Sequence, residues 1–251
     1  MKLMLAGFDN GATKRSVPDL ICLSKYILCS FWFLKKGMFN ELEQLIIQRN
    51  NTDDFLLDSG AFSMFSQKNH DLNTYIDDYI HFINEYNIKR YIELDIDPVV
   101  GYEEVKNIRR YIEEKTNKKS IPVWHKNRGM DEWLKHITDY DYVAIGGLVT
   151  KEIAPSEYNS LKPMVKLATN HNTKVHGLGF TGQDCYKYGF YSVDSTSWAS
   201  GRRFGQAVKF TNNKITNIKK PKDARANYIT VDRNNLIEWC KFQRYCETKK
   251  S

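Results

Sequence analysis

Nowhere in this chain do two cysteines stand three positions apart. The five present, Cys22, Cys29, Cys185, Cys240 and Cys246, are scattered and odd in number. CxxC zinc and redox motifs are excluded, no disulfide framework is suggested, and a reducing cytoplasm is expected. Long apolar runs are missing too. The longest, "YILCSFWFL", ends in Lys35–Lys36, well short of the roughly 20 residues that span a bilayer. The opening "MKLMLAGFDNG" has a single lysine and a very short apolar stretch, so it does not read as a secretory signal. No segment is rich enough in Pro, Gly or Ser to act as a linker, and no repeat is visible, so one domain is expected. Negative charge is the minority: 30 Asp and Glu face 37 Lys and Arg, for a net charge of +7 and a pI near 9.0. Such a surface admits a polyanionic partner without requiring one. With 41% hydrophobic and 27% charged residues, the chain is globular rather than disordered.

What is present is a rhythm. Short apolar segments read as strands at "KLMLAG", "KYILCSFW", "DFLLDSG", "RYIELDI", "IPVWHK", "YVAIGGLV", "KVHGLGF" and "GFYSVDST". Amphipathic stretches separate them. In one, Tyr75, Ile76, Tyr79, Ile80, Ile83 and Tyr86 recur at spacings of three and four, which is one face of a helix. Strand and helix in alternation imply a mostly parallel sheet. Eight strands in 251 residues favour a closed α/β barrel of the TIM (β/α)8 type over an open doubly wound sheet. Residues 1–205 are expected to form this barrel. Residues 206–251, polar and basic with a last helix in "NNLIEWCKFQRYCETKK", are expected as an extension packed on it.

Catalytic groups of such barrels sit at the carboxyl ends of the strands. Here those ends carry Asp58, Asp95, His125, Gly146–Gly147, His176–Gly177 and Asp194. A single Asp after a strand is usually a turn former or helix cap. Six successive ends with polar residues or glycine argue for a site, since glycine admits a flat ligand close to the backbone. Two other patterns compete. "GLGFTG", residues 177–182, fits the G-x-G-x-x-G spacing, but the acidic partner expected about 20 residues on is missing. The Asp-x-Asp of "LDID" could hold a divalent cation beside a nucleotide-sugar. In "ASGRRFG", 199–205, Arg202 and Arg203 lie in a glycine-flanked loop suited to phosphate.

Taken together, these segments resemble the tRNA-guanine transglycosylase family over roughly residues 25 to 225. "DSGAF" is similar to the family's Asp-Ser-Gly-Gly-aromatic motif, "AIGGLV" to its Gly-Gly-Leu segment, and "HGLGFTG" to its Met-Gly-Val-Gly turn. "YGFYSVDSTSWASGRRFGQAVKF" resembles the stretch with the nucleophilic aspartate and the arginine-rich loop. The family's zinc site of three cysteines and a histidine is absent, and the chain is short. In both respects it resembles the viral DpdA-type 7-deazaguanine DNA transglycosylases. The resemblance implies exchange of guanine in DNA, with tRNA as the alternative polymer, for a free 7-deazaguanine. It implies no cofactor, no metal and no membrane, in the host cytoplasm. Asp194 would be the nucleophile and Asp58 the general acid and base. Ser59, Phe62, Asp95, His125 in place of a glutamine, Gly146, Gly147, Leu148, His176 in place of the methionine under the base, and Gly177 would bind the base. Arg202, Arg203, Lys214, Lys219, Lys220, Lys222 and Arg225 would hold phosphates. A metal-dependent glycosyltransferase and an inactive nucleic-acid-binding barrel remain as alternatives.

Overall fold

A computed structural model describes residues 1–65, 71–180, 182–218 and 227–249, apart from the side chains of Phe62, Phe65 and Phe204. Seven parallel strands form one sheet: β1 (Lys2–Ala6), β2 (Ile27–Ser30), β3 (Phe55–Asp58), β4 (Val123–Trp124), β5 (Tyr142–Ile145), β6 (Lys174–Gly177) and β7 (Ser192–Ser195). Their order is β3-β2-β1-β7-β6-β5-β4. The edges β3 and β4 are joined through residues 90–93. The N–H of Leu57 donates to the Arg90 carbonyl at 3.0 Å and that of Glu93 to the Ile121 carbonyl at 3.1 Å. Tyr91 and Ile92 thus bridge Leu57 and Ile121 and complete the ring. This eighth stave is irregular for a physical reason. The buried Glu93 carboxylate accepts the Val123 N–H at 2.6 Å, where a regular ladder would place a backbone carbonyl.

Side chains alternate across each stave. Met4, Leu28, Leu56, Ile92, Val123 and Ala144 fill the barrel, while Leu3, Leu5, Ile27, Leu57 and Val143 face the helices. The helix Leu72–Glu85 buries Tyr75, Ile76, Tyr79, Phe82 and Ile83, much as its periodicity predicts. It starts at Asp71, whose carboxylate accepts the N–H groups of Asn73 and Thr74. The barrel floor is polar. Arg90, 8% exposed, bonds Asp53 at 2.7 Å and Asp141 at 2.8 Å, and Lys174 meets Asp53 at 2.5 Å. Closing the floor leaves the opposite, carboxyl end as the open mouth.

Residues beyond 205 take two forms. Val208–Thr211 and Lys214–Asn217 make an antiparallel hairpin, whose turn residues Asn212 and Asn213 both have positive φ, as a type I′ turn requires. The helix Tyr228–Thr248 then lies along the outside of β1, where Gln243 Nε2 donates to the carbonyls of Leu3 at 2.7 Å and Tyr26 at 2.9 Å. It serves as a wall of the barrel. No helix among the described residues is long and apolar enough to cross a membrane.

Candidate active site

The carboxyl ends of the staves surround a cavity of about 480 Å³. Asp58 from β3, Asp95 beyond the irregular stave, His125 beyond β4 and Asp194 from β7 all face it, with Ser59, Gly146 and Gly147. Parallel register sets their level: Ser30 pairs with Asp58, and Met4 with Asp194. The structure thus brings these strand ends together at one cavity.

The surroundings of Asp58 disfavour its charged form. Burial raises its carboxyl to about 6, and the charges of Asp194 and Asp95 add to that rise. The Gly60 N–H, 3.0 Å from Oδ2, and Ser30 pull the other way. The turn that aims this N–H needs glycine: Gly60 has φ +70°, and a Cβ there would stand 2.5 Å from both Ser30 Oγ and Trp32 Cβ. The Phe62 side chain, expected beside the base, lies outside the described residues.

Asp194 is held by one oxygen. Its Oδ1 accepts the Gly179 N–H at 2.5 Å and lies 3.2 Å from His176 Nε2. The other nitrogen of His176 lies 2.5 Å from Ser192 Oγ, which lies 2.5 Å from the Tyr142 hydroxyl. His176 is completely buried inside the barrel and does not face the cavity. This corrects its expected place under the base. Side chains alternate, so the inward residue one layer above His176 is Leu178, which does line the cavity. Gly177 is corrected for the same reason: it points outward, against Phe180 and Phe190. The Leu148 side chain packs into the outer core, and Leu148 does not line the cavity, which corrects its expected place at the base.

A second cluster holds the opposite wall. His125 Nε2 lies 2.7 Å from Asp95 and its Nδ1 2.8 Å from Glu152. Burial works against the charged ring, yet Asp95 first and Glu152 next lift its pKa to about 9. Gly146 makes room for that ring, since a Cβ there would lie 2.6 Å from His125 Cε1. Arg128 contacts Asp95 at 3.2 Å and Asp97 at 3.1 Å, with its guanidinium 4.1 Å over the Tyr102 ring. Asp95, Asp97 and His125 could together hold a metal ion, for their ligand atoms all lie within 4.8 Å of one another. Arg128 already supplies positive charge to both carboxylates of that set.

Sequence reasoning missed several of these groups. Asp9, three residues beyond β1, lines the cavity and accepts the Ser30 N–H at 2.5 Å. Burial raises its carboxyl to about 7, with Asp58 adding to the rise. Its signal was legible, since "LAGFDNG" is another strand ending near a carboxylate. Arg128 ends the 3-10 turn Lys126–Arg128 and Glu152 lies in a loop, and neither carries a local signature. Among the phosphate candidates, Arg202 is turned onto the buried Asp232 at 2.6 Å, whereas Arg203 is exposed. Lys214 lies exposed in the hairpin, and Lys219, Lys220, Lys222 and Arg225 lie outside the described residues. The G-x-G-x-x-G pattern leads into a 3-10 turn at Cys185–Tyr188 instead of the α-helix a dinucleotide fold places there.

No family model and no curated protein matches the sequence. Solved structures do match. A mutant tryptophan synthase alpha-subunit from the hyperthermophile Pyrococcus furiosus aligns over 94% of this chain and 96% of its own, with TM-score 0.53 and 14% identity. A Coccidioides immitis protein assigned as a fructose-1,6-biphosphate aldolase aligns over 97% of this chain and 88% of its own, with TM-score 0.53 and 9% identity. At such identities the likeness carries the TIM-barrel fold and nothing of the chemistry.

Proposed function

We propose that the protein is a base-exchange transglycosylase that replaces guanine in nucleic acid, DNA in preference to tRNA, with a 7-deazaguanine. The observation that carries this reading is the meeting of Asp58, Asp95 and Asp194 in one cavity, with Asp58 poised near neutrality at about 6. A carboxyl in that range can give and take a proton in the same cycle. Asp194 keeps one oxygen without a hydrogen bond among the described residues, as a nucleophile needs.

The reaction is a double displacement. Asp194 Oδ2 forms a bond to the anomeric carbon as the bond from that carbon to the guanine nitrogen breaks. The departing guanine takes a proton from Asp58. A 7-deazaguanine then attacks the same carbon through its ring nitrogen, Asp58 recovers the proton, and Asp194 leaves as a carboxylate. Asp95 accepts hydrogen bonds from the N–H edge of the base. Turning the nucleotide out of its stack costs about a few kcal/mol.

Incubation with labelled guanine and matched DNA and tRNA tests the reading, with nucleoside mass spectrometry after supply of a deazaguanine. Incorporation that depends on Asp58 and Asp194 is expected, and no incorporation into either polymer overturns it. A metal-dependent glycosyl transfer is the second reading, favoured by the Asp95–Asp97–His125 group. Incorporation that survives excess chelator dismisses that alternative.

A further inference from the structure

Resting on the base-exchange reading, we infer that His176 is a positioning residue that fixes Asp194 through Oδ1 and so makes Oδ2 the attacking atom. The argument is one of donors and acceptors inside a closed barrel. Tyr142, Ser192 and His176 are each at most 1% exposed, so water cannot satisfy them. The Tyr142 hydroxyl, kept as a neutral phenol by burial, has Ser192 Oγ as its one hydrogen-bond partner among the described residues, so its proton is assigned to that contact and Tyr142 is the donor. Ser192 has one proton of its own, and its remaining close partner is His176 Nδ1, 2.5 Å away. Nδ1 therefore accepts, and the ring carries its proton on Nε2. That proton points at Asp194 Oδ1, 3.2 Å away.

Oδ1 consequently receives two N–H groups, one from His176 and one from the Gly179 backbone. The backbone donor is itself fixed. Gly179 has φ +65°, and a Cβ there would stand 2.1 Å from Val149 Cγ2. Two donors on one oxygen draw charge there and set the carboxylate plane. The second oxygen is left toward the cavity with no hydrogen bond among the described residues. No other donor reaches Oδ1 among the described residues: Met4, level with Asp194 on β1, and Ala144, level with His176 on β5, are both apolar.

The experiment compares His176→Gln, which keeps a side-chain N–H of similar reach, with His176→Met, which keeps bulk but loses the donor. Trapping of nucleic acid on Asp194 is followed by denaturing electrophoresis at several pH values. Misplacing a reacting group by about 1 Å costs on the order of a hundredfold in rate. His176→Met should lose about that much in adduct formation while its affinity for free base changes less than about twofold, and His176→Gln should recover most of the rate. Nitrogen-15 NMR of the imidazole should report a single Nε2–H tautomer that is lost in Ser192→Ala. A wild-type rate of trapping in folded His176→Met overturns the inference. So does an Nδ1–H tautomer, which stays measurable even if a variant is unstable. If the native chain traps no nucleic acid, the base-exchange reading fails, and the tautomer still decides whether His176 holds Asp194.

Discussion

Nε2 of His125 lies 2.7 Å from Oδ2 of Asp95, and this contact ties the pocket wall to proton concentration. The ring's pKa is lifted from 6.5 to about 9 by Asp95 and Glu152 against the opposing effect of burial. A folded-state value raised above the unfolded one gives stability that is complete below pH 6.5 and is lost as pH rises through about 9. Thermal unfolding of the native chain and of His125→Gln should therefore differ near neutrality, by on the order of 1–3 kcal/mol. The difference should close above about pH 9. A gap independent of pH across that window would mean that the ring does not carry its charge here.

Asp58 gives the opposite trade between stability and chemistry. Its carboxyl, raised from 3.8 to about 6, favours the folded state fully below 3.8, and that support disappears as pH passes about 6. At about pH 8 the ionised form is a burden on the fold. Asp58→Asn should therefore raise the unfolding temperature at that pH, by a stability of about 1–3 kcal/mol, while abolishing base exchange. Asp9→Asn, at a group raised to about 7, should stabilise likewise. Differential scanning calorimetry at about pH 4 and about pH 8 is the check, because the gain should vanish at the lower value. A loss of stability for Asp58→Asn at both values would contradict this assignment.

The staves and their order of functional ends could be read in advance because a parallel strand buried on both faces leaves an unbroken apolar run, and its end is marked where polar residues begin. Asp58, Asp95, His125 and Asp194 were legible in that way. His176 was not, because the resemblance supplied a register and only the alternation within Lys174–Gly177 says which residue reaches the cavity. Arg128 and Glu152 were invisible because their partners lie 33 and 27 residues away in the chain. The helix Tyr228–Thr248 was legible as an extension packed on the barrel, but not the means of its docking: Leu236, Trp239, Phe242 and Cys246 enter the main core, and Gln243 bonds the backbone of β1.

Asp194 offers a sharper test of the covalent step. An asparagine amide at this position is a far poorer nucleophile, yet its carbonyl can still take the Gly179 N–H. Asp194→Asn should retain its circular dichroism spectrum and its affinity for free base, and form no denaturation-resistant adduct with DNA or tRNA. An adduct at native yield would remove Asp194 from the chemistry and send the search for a nucleophile to Asp9 or Asp58.

The two adjacent arginines should separate into one structural and one binding residue. Arg202 meets Asp232, which is completely buried, at 2.6 Å, and removing it leaves a buried carboxylate without its cation. Breaking a pair of that kind costs about 3–5 kcal/mol, so Arg202→Ala should unfold at markedly lower denaturant. Arg203 is exposed and makes no ion pair among the described residues, which leaves its guanidinium available to phosphate. Arg203→Ala should keep native stability. It should lower affinity for DNA, and reduce the slope of log affinity against log salt by about 0.7–0.9 if the side chain neutralises one phosphate. Triple replacement of Lys219, Lys220 and Lys222 should flatten that slope further by the same rule, leaving free-base affinity unchanged. Fluorescence anisotropy with labelled DNA and tRNA across a salt series, beside urea melts of both arginine variants, measures each quantity. If Arg203→Ala binds with an unaltered slope while Arg202→Ala loses it without loss of stability, the roles of the two residues are reversed and Asp232 is not the partner that matters.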